Sequence, residues 1–151
     1  MIDSGNPPDP TCCKCGFNLP YYVGKLRVST IFLYSDARFP SRMVVSLSQH
    51  HDHLDEVPAE LLMNFMADIR CVSLVLRLGM GADRANVAVL GNLVSHVHAH
   101  VIPRKRAEEP NPSRSPWDDP RERQSLPDAE RANVTDQLRV HFREQCPDLF
   151  S

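Results

Sequence analysis

Three histidines, His96, His98 and His100, alternate with small apolar residues in one short segment. Successive side chains of a β-strand point to opposite faces, so a strand here places the three imidazoles on one face, about 7 Å apart, with Val97 and Ala99 on the other. Such a row could be a solvated run without function, a three-histidine zinc site, or a nucleophilic centre. Three ligands on one straight strand converge poorly on one ion. The pattern therefore favours nucleophilic catalysis, in which one neutral imidazole attacks phosphorus and its neighbours manage protons.

A second group of reactive residues combines cysteines and histidines. Cys12 and Cys15 form a Cys-x-x-Cys pair, and residues 50–53 read His-His-Asp-His. Five cysteines, three of them within four residues, are a poor disulfide framework. A Cys-x-x-Cys in a reducing compartment is typical of metal or redox sites, and zinc would need two further ligands. The alternative is free thiols beside exposed histidines. Cys71 is predicted to be a partly buried helix residue and Cys146 an unpaired one.

The composition limits the class of protein. The chain has 151 residues, of which 42% are hydrophobic and 24% charged, as expected for one domain with an ordinary core. The net charge of -2 argues against an extended nucleic-acid or membrane surface. No apolar run approaches the roughly 20 residues of a membrane span, and the N-terminus lacks the apolar core of a signal peptide. The sequence predicts a cytoplasmic protein.

The histidine segment lies among alternating strand and helix patterns. Apolar residues at helical spacing predict one long helix, and a run without proline predicts a second. A proline- and arginine-rich stretch after Ile102 cannot be helix or central strand and is predicted to cross the surface in extended form. The predicted elements are a hairpin over 26–47, a helix from Asp55 to Gly79, strands over 86–90 and 94–102 around a Gly91-Asn92 turn, and a helix over 128–145.

The histidine segment resembles the motif of the histidine triad (HIT) superfamily, in which three histidines alternate with apolar residues and two further apolar residues follow. The resemblance extends to the Gly91-Asn92 turn, to the Pro103-Arg104 pair and to the long helix. It covers roughly residues 12–120, and Trp117 lies where many bacterial members have a tryptophan.

The resemblance implies a fold class and a domain division. It implies an α+β fold, with an antiparallel sheet of about five strands, a long helix and a C-terminal helix. The HIT-like domain would span residues 1–125, including a cysteine-rich N-terminal arm and a proline-rich tail, and a helical extension would span 126–151. Members of the superfamily imply a homodimer joined through the long helix and an edge strand.

The resemblance also implies roles for the histidines. His98 is similar to the nucleophile that forms a nucleotidyl-histidine, His100 to the histidine that contacts the phosphate and leaving group, and His96 to the one that supports the nucleophile. Asn86 and Asn92 would lie near the phosphate. Asn92 departs from the glutamine that many members have after the glycine, which leaves the substrate open.

The nucleoside would be held by the first hairpin strand. Many members bind the ribose hydroxyls through an acidic side chain at the end of this strand. Asp36 is the preferred candidate here, with Ser35 beside it. Phe32 and Leu33 would flank the base, or are plain core residues.

A zinc-containing branch of the superfamily implies a metal site. In that branch an N-terminal Cys-x-x-Cys combines with a histidine after the second strand and with the first histidine of the triad. The matching residues are Cys12, Cys15, His50 and His96, which would form a closed, structural Cys2His2 site.

These residues together suggest an enzyme. The leading hypothesis is a hydrolase or nucleotidyl transferase acting on nucleoside phosphoramidates, adenylated metabolites or dinucleoside polyphosphates through a covalent nucleotidyl-histidine. The alternative is a non-catalytic nucleotide-binding or regulatory module. The expected partner is a purine nucleotide containing AMP, without a membrane. Nucleic-acid end processing is disfavoured, because acidic residues offset the arginines of 104–123.

Overall fold

The structure, a computed structural model, describes residues 9–151, so residues 1–8 of the predicted arm lie outside the described residues. It contains five strands and two long helices, which confirms the predicted α+β fold with a five-stranded antiparallel sheet. The elements are β1 (Tyr22–Lys25), β2 (Ser29–Leu33), β3 (Met43–Leu47), α1 (Ala59–Leu74), β4 (Arg84–Ala88), β5 (His98–Arg104) and α2 (Asp128–Gln145).

The sheet has the strand order β1-β2-β3-β5-β4, and every neighbouring pair is antiparallel. Because side chains alternate along a strand, its two faces have different roles. One face carries Ile31 and Val45, which are fully buried in the core shared with the helices. The other face places Val44 opposite His100 across the β3–β5 pair. The core therefore lies on one side of the sheet and the histidines on the other.

Three strand predictions need correction, and the first is the strand over 86–90, which is observed as β4 at Arg84–Ala88. The predicted hairpin is present as β2 and β3, but β1 was not predicted. The predicted strand over 94–102 is wrong at both ends, since β5 begins at His98 and continues through Pro103 to Arg104. His96 lies outside β5 because its backbone N–H bonds to the Val94 carbonyl, as in a bend rather than a strand. His96 therefore does not share a strand face with the other two histidines.

Helix α1 begins later than predicted. A short 3-10 turn spans Leu54–Glu56, and the α-helix starts at Ala59, directly after Pro58. Proline at this point suits a helix start because it has no N–H to leave unpaired. The helix continues into one wider turn at Val75–Gly79. The buried side of α1 carries the predicted apolar stripe and covers the core face of the sheet.

Asp68 interrupts the apolar stripe of α1. Its carboxylate is fully buried and accepts hydrogen bonds from the backbone N–H groups of Arg27 and Val28, at 3.2 and 2.9 Å. It also accepts one from the Ser29 hydroxyl at 2.7 Å. A buried carboxylate is tolerated only when its oxygens are bonded. Asp68 thereby ties α1 to the turn between β1 and β2.

Helix α2 has the predicted bounds and packs into the same core through Val134, Leu138 and Phe142. Cys71 of α1 and Cys146 at the end of α2 form a disulfide, with a Cα–Cα separation of 6.4 Å. This corrects the predictions of a partly buried Cys71 and an unpaired Cys146, because the packing of the two helices brings residues 75 positions apart together. Within residues 9–151, no helix combines the length and the apolar character that a membrane crossing requires.

The proline- and arginine-rich segment crosses the surface, as predicted, and is pinned at its far end. The backbone N–H of Leu126 donates to the Ser35 hydroxyl, and the carbonyl of Gln124 accepts from the Ala37 N–H. Leu126 is buried in the core. These anchors lead the segment over the histidine face of the sheet, where it presents Trp117 and Arg123.

Candidate active site and metal centre

A cavity of about 460 Å³ lies over the histidine face of the sheet. His98 and His100 form part of its floor, and Phe17 of the N-terminal arm forms one wall. The loop over 90–94 and Trp117 line other parts of it. Three separate parts of the chain therefore enclose the two strand histidines.

His98 is held in one tautomer. Its Nδ1 lies 2.6 Å from the carbonyl oxygen of His96, which can only accept, so Nδ1 carries the proton. The neutral ring then has its free lone pair on Nε2. The Phe17 ring stacks on His98 at 5.1 Å between centroids and on His96 at 4.9 Å, which fixes the orientation of both. A neutral imidazole with a fixed, unprotonated nitrogen is suited to nucleophilic attack.

His100 is held neutral by an arginine. The Arg42 guanidinium lies 3.2 Å from Nδ1 of His100. Because a guanidinium can only donate, Nδ1 accepts this bond and the ring proton resides on Nε2. Burial, and after it the charge of Arg42, lowers the pKa of His100 to about 4. At neutral pH His100 is therefore an uncharged donor through Nε2.

Arg42 is the central cation of this end of the cavity. Its guanidinium is buried, donates to Asp36 at 3.1 Å, and lies 4.1 Å from the centroid of the Tyr34 ring. The Trp117 ring is 5.8 Å away. Burial lowers the pKa of Arg42 from its ordinary value, so the site holds this charge against a desolvation cost.

The predicted ribose-binding residues do not line the cavity. Asp36 is fully buried, and its carboxylate accepts bonds from Arg38 at 3.0 and 2.9 Å as well as from Arg42. Although burial raises it, the hydrogen bonds from Arg38 hold the pKa of Asp36 below its ordinary value. Ser35 accepts the bond from Leu126. Neither Asp36 nor Ser35 is among the residues that line the cavity.

The other predicted nucleotide contacts are divided between the cavity and other regions. Asn92 lines the cavity, at the turn where Gly91 has a φ of 75°. Asn86 instead accepts a bond from Arg104 at 2.7 Å and lines a separate surface pocket. Phe32 is fully buried on the histidine face beneath the cavity, and Leu33 belongs to the core on the opposite face. Their roles toward a nucleotide stay predictions.

Cys12, Cys15, His50 and His96 form one cluster, with all four ligand atoms within 4.8 Å of one another. The Cys12 Sγ to His50 Nδ1 distance is 3.6 Å, the Cys15 Sγ to His96 Nδ1 distance is 3.3 Å, and the two Nδ1 atoms are 3.2 Å apart. A tetrahedral zinc ion with ordinary bond lengths separates S from N by about 3.6 Å and N from N by about 3.3 Å. These three distances between donor atoms therefore fit zinc.

The hydrogen bonds of the two cluster histidines also fit a metal. Nε2 of His96 lies 2.8 Å from the Leu47 carbonyl, and Nε2 of His50 lies 3.0 Å from an Asp52 oxygen. Both acceptors assign the ring protons to Nε2, so two Nδ1 lone pairs face each other. Such a contact is repulsive unless a cation lies between them. Against the effect of burial, the backbone N–H groups near Cys12 lower the pKa of its thiol to about 7, which favours a thiolate there, whereas burial raises the pKa of the Cys15 thiol.

The sequence pattern matches a known family. A family model described as the HIT domain matches residues 21–107, more than half of the 151-residue chain. The chain belongs to the HIT family. HIT proteins are nucleotide-binding proteins and generally nucleotide hydrolases or transferases.

Solved HIT structures share the fold of this HIT domain. A HIT protein from Sinorhizobium meliloti is 20% identical with a TM-score of 0.72, and the match covers 83% of this chain and 96% of that one. A zinc-bound HIT family protein from Mycobacterium smegmatis is 20% identical with a TM-score of 0.63, covering 83% and 86%. An uncharacterized HIT-like protein from Methanocaldococcus jannaschii is 33% identical over 78 residues. That match covers 48% of this chain and 60% of the relative's length.

Among the residues of this HIT site that were not predicted to act there are Phe17, Tyr34, Arg42 and Arg123. Each lines the cavity, and Arg42 contacts His100 directly. One signal was available for Arg42, since a charged residue directly before a mostly apolar strand is buried only when it is paired. No local sequence pattern predicts the position of Arg123, because that position depends on the path of the proline- and arginine-rich segment across the surface.

Proposed function

We propose that this HIT protein is a nucleotide hydrolase or nucleotidyl transferase that works through a covalent nucleotidyl-histidine on His98. The observation that carries the proposal is the 2.6 Å bond from Nδ1 of His98 to the His96 carbonyl, which in the neutral ring puts the free lone pair on Nε2. Nε2 attacks the α-phosphorus, and the bond from phosphorus to the leaving group breaks. Water or another acceptor then attacks phosphorus and loses a proton to solvent, the P–N bond breaks with its electron pair on Nε2, and neutral His98 is regenerated.

The substrate class follows from the same cavity. We propose an AMP-containing purine nucleotide: a nucleoside phosphoramidate, an adenylated metabolite or a dinucleoside polyphosphate. The volume of about 460 Å³ is within the range of small-molecule sites. Val44, Ile102 and Asn92 line the cavity, and in this proposal the two apolar residues would support the base while Asn92 would contact the phosphate. Asp36 would act on the nucleotide only through the two arginines that it orients.

The adduct itself is the test of this function. Wild-type protein is mixed with adenylyl substrates, quenched in base, and analysed by intact mass for one added adenylyl group. We expect the adduct with wild type and its loss with His98→Asn. His53→Asn changes an exposed histidine outside the cavity and is the matched control. Binding of AMP without any adduct or turnover would instead support the non-catalytic alternative.

We propose a structural zinc ion held by Cys12, Cys15, His50 and His96. The donor spacing and the facing Nδ1 lone pairs support it, and the Mycobacterium smegmatis relative is a zinc-bound protein. Zinc would join the N-terminal arm to the segment that carries His96, and so keep Phe17 stacked on the nucleophile. Free cysteines that bind a metal are typical of a reducing compartment, which supports a cytoplasmic location. The buried disulfide between α1 and α2 would be an exception in that compartment.

We also propose a homodimer through the β4 side of the sheet. β4 is an edge strand with an exposed Val87, and the loop after it exposes Leu90 and Leu93. Leu78, at the end of the helical segment that contacts β4, is 61% exposed. Apolar side chains next to an open strand edge are typical of a covered surface. Light scattering of wild type and Val87→Arg tests the proposal, because a dimer of this kind should dissociate in the variant.

A further inference from the structure

The end of the cavity around His100 is strongly cationic. Arg38, Arg42 and Arg123 all line it, whereas no carboxylate is among the described residues that form the lining. Among residues 9–151, the carboxylate bonded to these guanidinium groups is that of the buried Asp36, which pairs with Arg38 and Arg42. Three positive groups and one negative group leave an excess of two positive charges. Arg123 has no acidic partner within the described part of the chain, and donates to the Tyr34 hydroxyl.

Arg42 and Arg123 are arranged as a pair. Both guanidinium groups lie over the Tyr34 ring, at 4.1 and 4.8 Å from its centroid. The Nε of Arg42 is buried and has no hydrogen-bond partner among the described residues. Two arginines on one aromatic ring repel each other, and an anion bound between them relieves that repulsion. This is the arrangement of an anion subsite next to the strand histidines.

Building on the proposed function, we infer that the site takes nucleotides whose leaving group carries its own negative charge, a phosphate or sulfate bound by Arg42 and Arg123. His98 Nε2 forms a bond to the α-phosphorus, the bond from phosphorus to the bridging oxygen breaks, and that oxygen keeps the electron pair. The leaving group gains one negative charge, and no proton moves in this step. The two arginines stabilise that charge as it develops.

The state of His100 supports the same substrate class. An amine leaving group must receive a proton before it departs, and His100, at 5.4 Å between ring centroids, is the other imidazole among the described residues that line the cavity. The guanidinium on its Nδ1 disfavours the imidazolium that could supply this proton, and burial lowers its pKa to about 4. A phosphate or sulfate needs no such proton. The site is therefore matched to oxygen leaving groups that are stable as anions.

Trp117 allows the anion subsite to be tested by binding alone. It is the single tryptophan of the chain and it lines the cavity, so its fluorescence reports on this site. The full-length His98→Asn protein, which cannot form the adduct, is titrated with AMP and with ADP. Because charge-assisted arginine–phosphate contacts are strong, we expect ADP to bind about tenfold more tightly than AMP. Arg123→Gln should remove most of this difference, and Arg114→Gln, an exposed arginine of the same segment outside the cavity, should keep it.

Turnover supplies the second readout. Adenosine 5′-phosphosulfate and diadenosine triphosphate have anionic leaving groups, and adenosine 5′-phosphoramidate releases ammonia. We expect kcat/KM to be higher for the substrates with anionic leaving groups than for the phosphoramidate. Arg123→Gln should lower kcat/KM for the anionic substrates about tenfold and change kcat/KM for the phosphoramidate less than about twofold. The ratio between the two anionic substrates distinguishes phosphate from sulfate.

The outcomes separate the two proposals. If no substrate gives an adduct on His98, the proposed function is wrong, and the comparison of ADP with AMP still decides the anion subsite. If the adduct forms but the phosphoramidate reacts as fast as the anionic substrates, the inference is wrong. It is also wrong if Arg123→Gln lowers kcat/KM for all three substrates by one common factor, or if ADP and AMP bind with equal affinity to the His98→Asn protein.

Discussion

The buried carboxylate of Asp68 gives the sharpest prediction about stability. Asp68→Ala removes the acceptor of three donors, the N–H groups of Arg27 and Val28 and the hydroxyl of Ser29. A buried donor that loses its partner costs about 1–3 kcal/mol. Arg27 is exposed, so its N–H binds water when the carboxylate is removed. The cost therefore comes from the Val28 N–H and the Ser29 hydroxyl, and Ser29 is fully buried. We expect Asp68→Ala to lower the free energy of unfolding by about 3–4 kcal/mol.

Urea unfolding followed by far-ultraviolet circular dichroism measures this loss. Asp68→Asn keeps one acceptor oxygen and should cost about half as much. Asp136→Ala is the matched control, because Asp136 is an exposed aspartate in a helix and its ion pair with Arg139 is long, at 3.7 Å. Alanine is the better helix former, so helix propensity cannot explain a loss. A cost for Asp68→Ala below about 1 kcal/mol, or equal to that of Asp136→Ala, would show that this carboxylate does not hold α1 to the sheet.

Three further predictions concern the metal, the disulfide and pH. Cys15→Ser should abolish stoichiometric zinc in the purified protein, whereas Cys13→Ser should retain it; equal zinc in both variants would exclude the proposed ligand set. Replacing Cys71 and Cys146 by alanine should lower the free energy of unfolding by about 4 kcal/mol, from the chain entropy of a loop of 75 residues. A reductant should then destabilise wild type but not the double variant. Because the pKa of His100 is lowered to about 4 from 6.5, the unfolded chain binds more protons between these values. The free energy of unfolding should fall as the pH falls through that range, and His100→Asn should flatten this slope in urea titrations; an unchanged slope would contradict the lowered pKa.

The parts of the site that the sequence predicts are those encoded by local spacing. His98 and His100 alternate with apolar residues, so their common face follows from the strand period. His50 and His96 were predicted as partners of the Cys-x-x-Cys pair from the resemblance to the zinc-containing branch, and in the structure they lie next to it. Neither result required knowledge of long-range packing.

The parts that could not be predicted depend on which distant residue faces a buried charge. Asp36 lies at the predicted position in the chain, yet the guanidinium groups of Arg38 and Arg42 determine its orientation. Asp68 is bonded by a turn about 40 residues away, as the separation from Val28 shows. β1 was missed because it is only four residues long and contains Gly24. Such pairings arise from tertiary packing and leave no periodic signal.

The two edge strands of the sheet, β1 and β4, differ in how far the rest of the chain covers them. Along β1, Arg139 of α2 donates to the carbonyls of Tyr22 and Val23, and Lys25 exchanges two backbone hydrogen bonds with Ser151. β4 has no such cover among the described residues. A molecule with only one open edge strand can pair through its sheet with one other copy, because this pairing covers the open edge of both. It therefore cannot form a continuous sheet of many copies. Sheet-to-sheet growth would stop at a pair, and fibre formation would first require that α2 and Ser151 release β1.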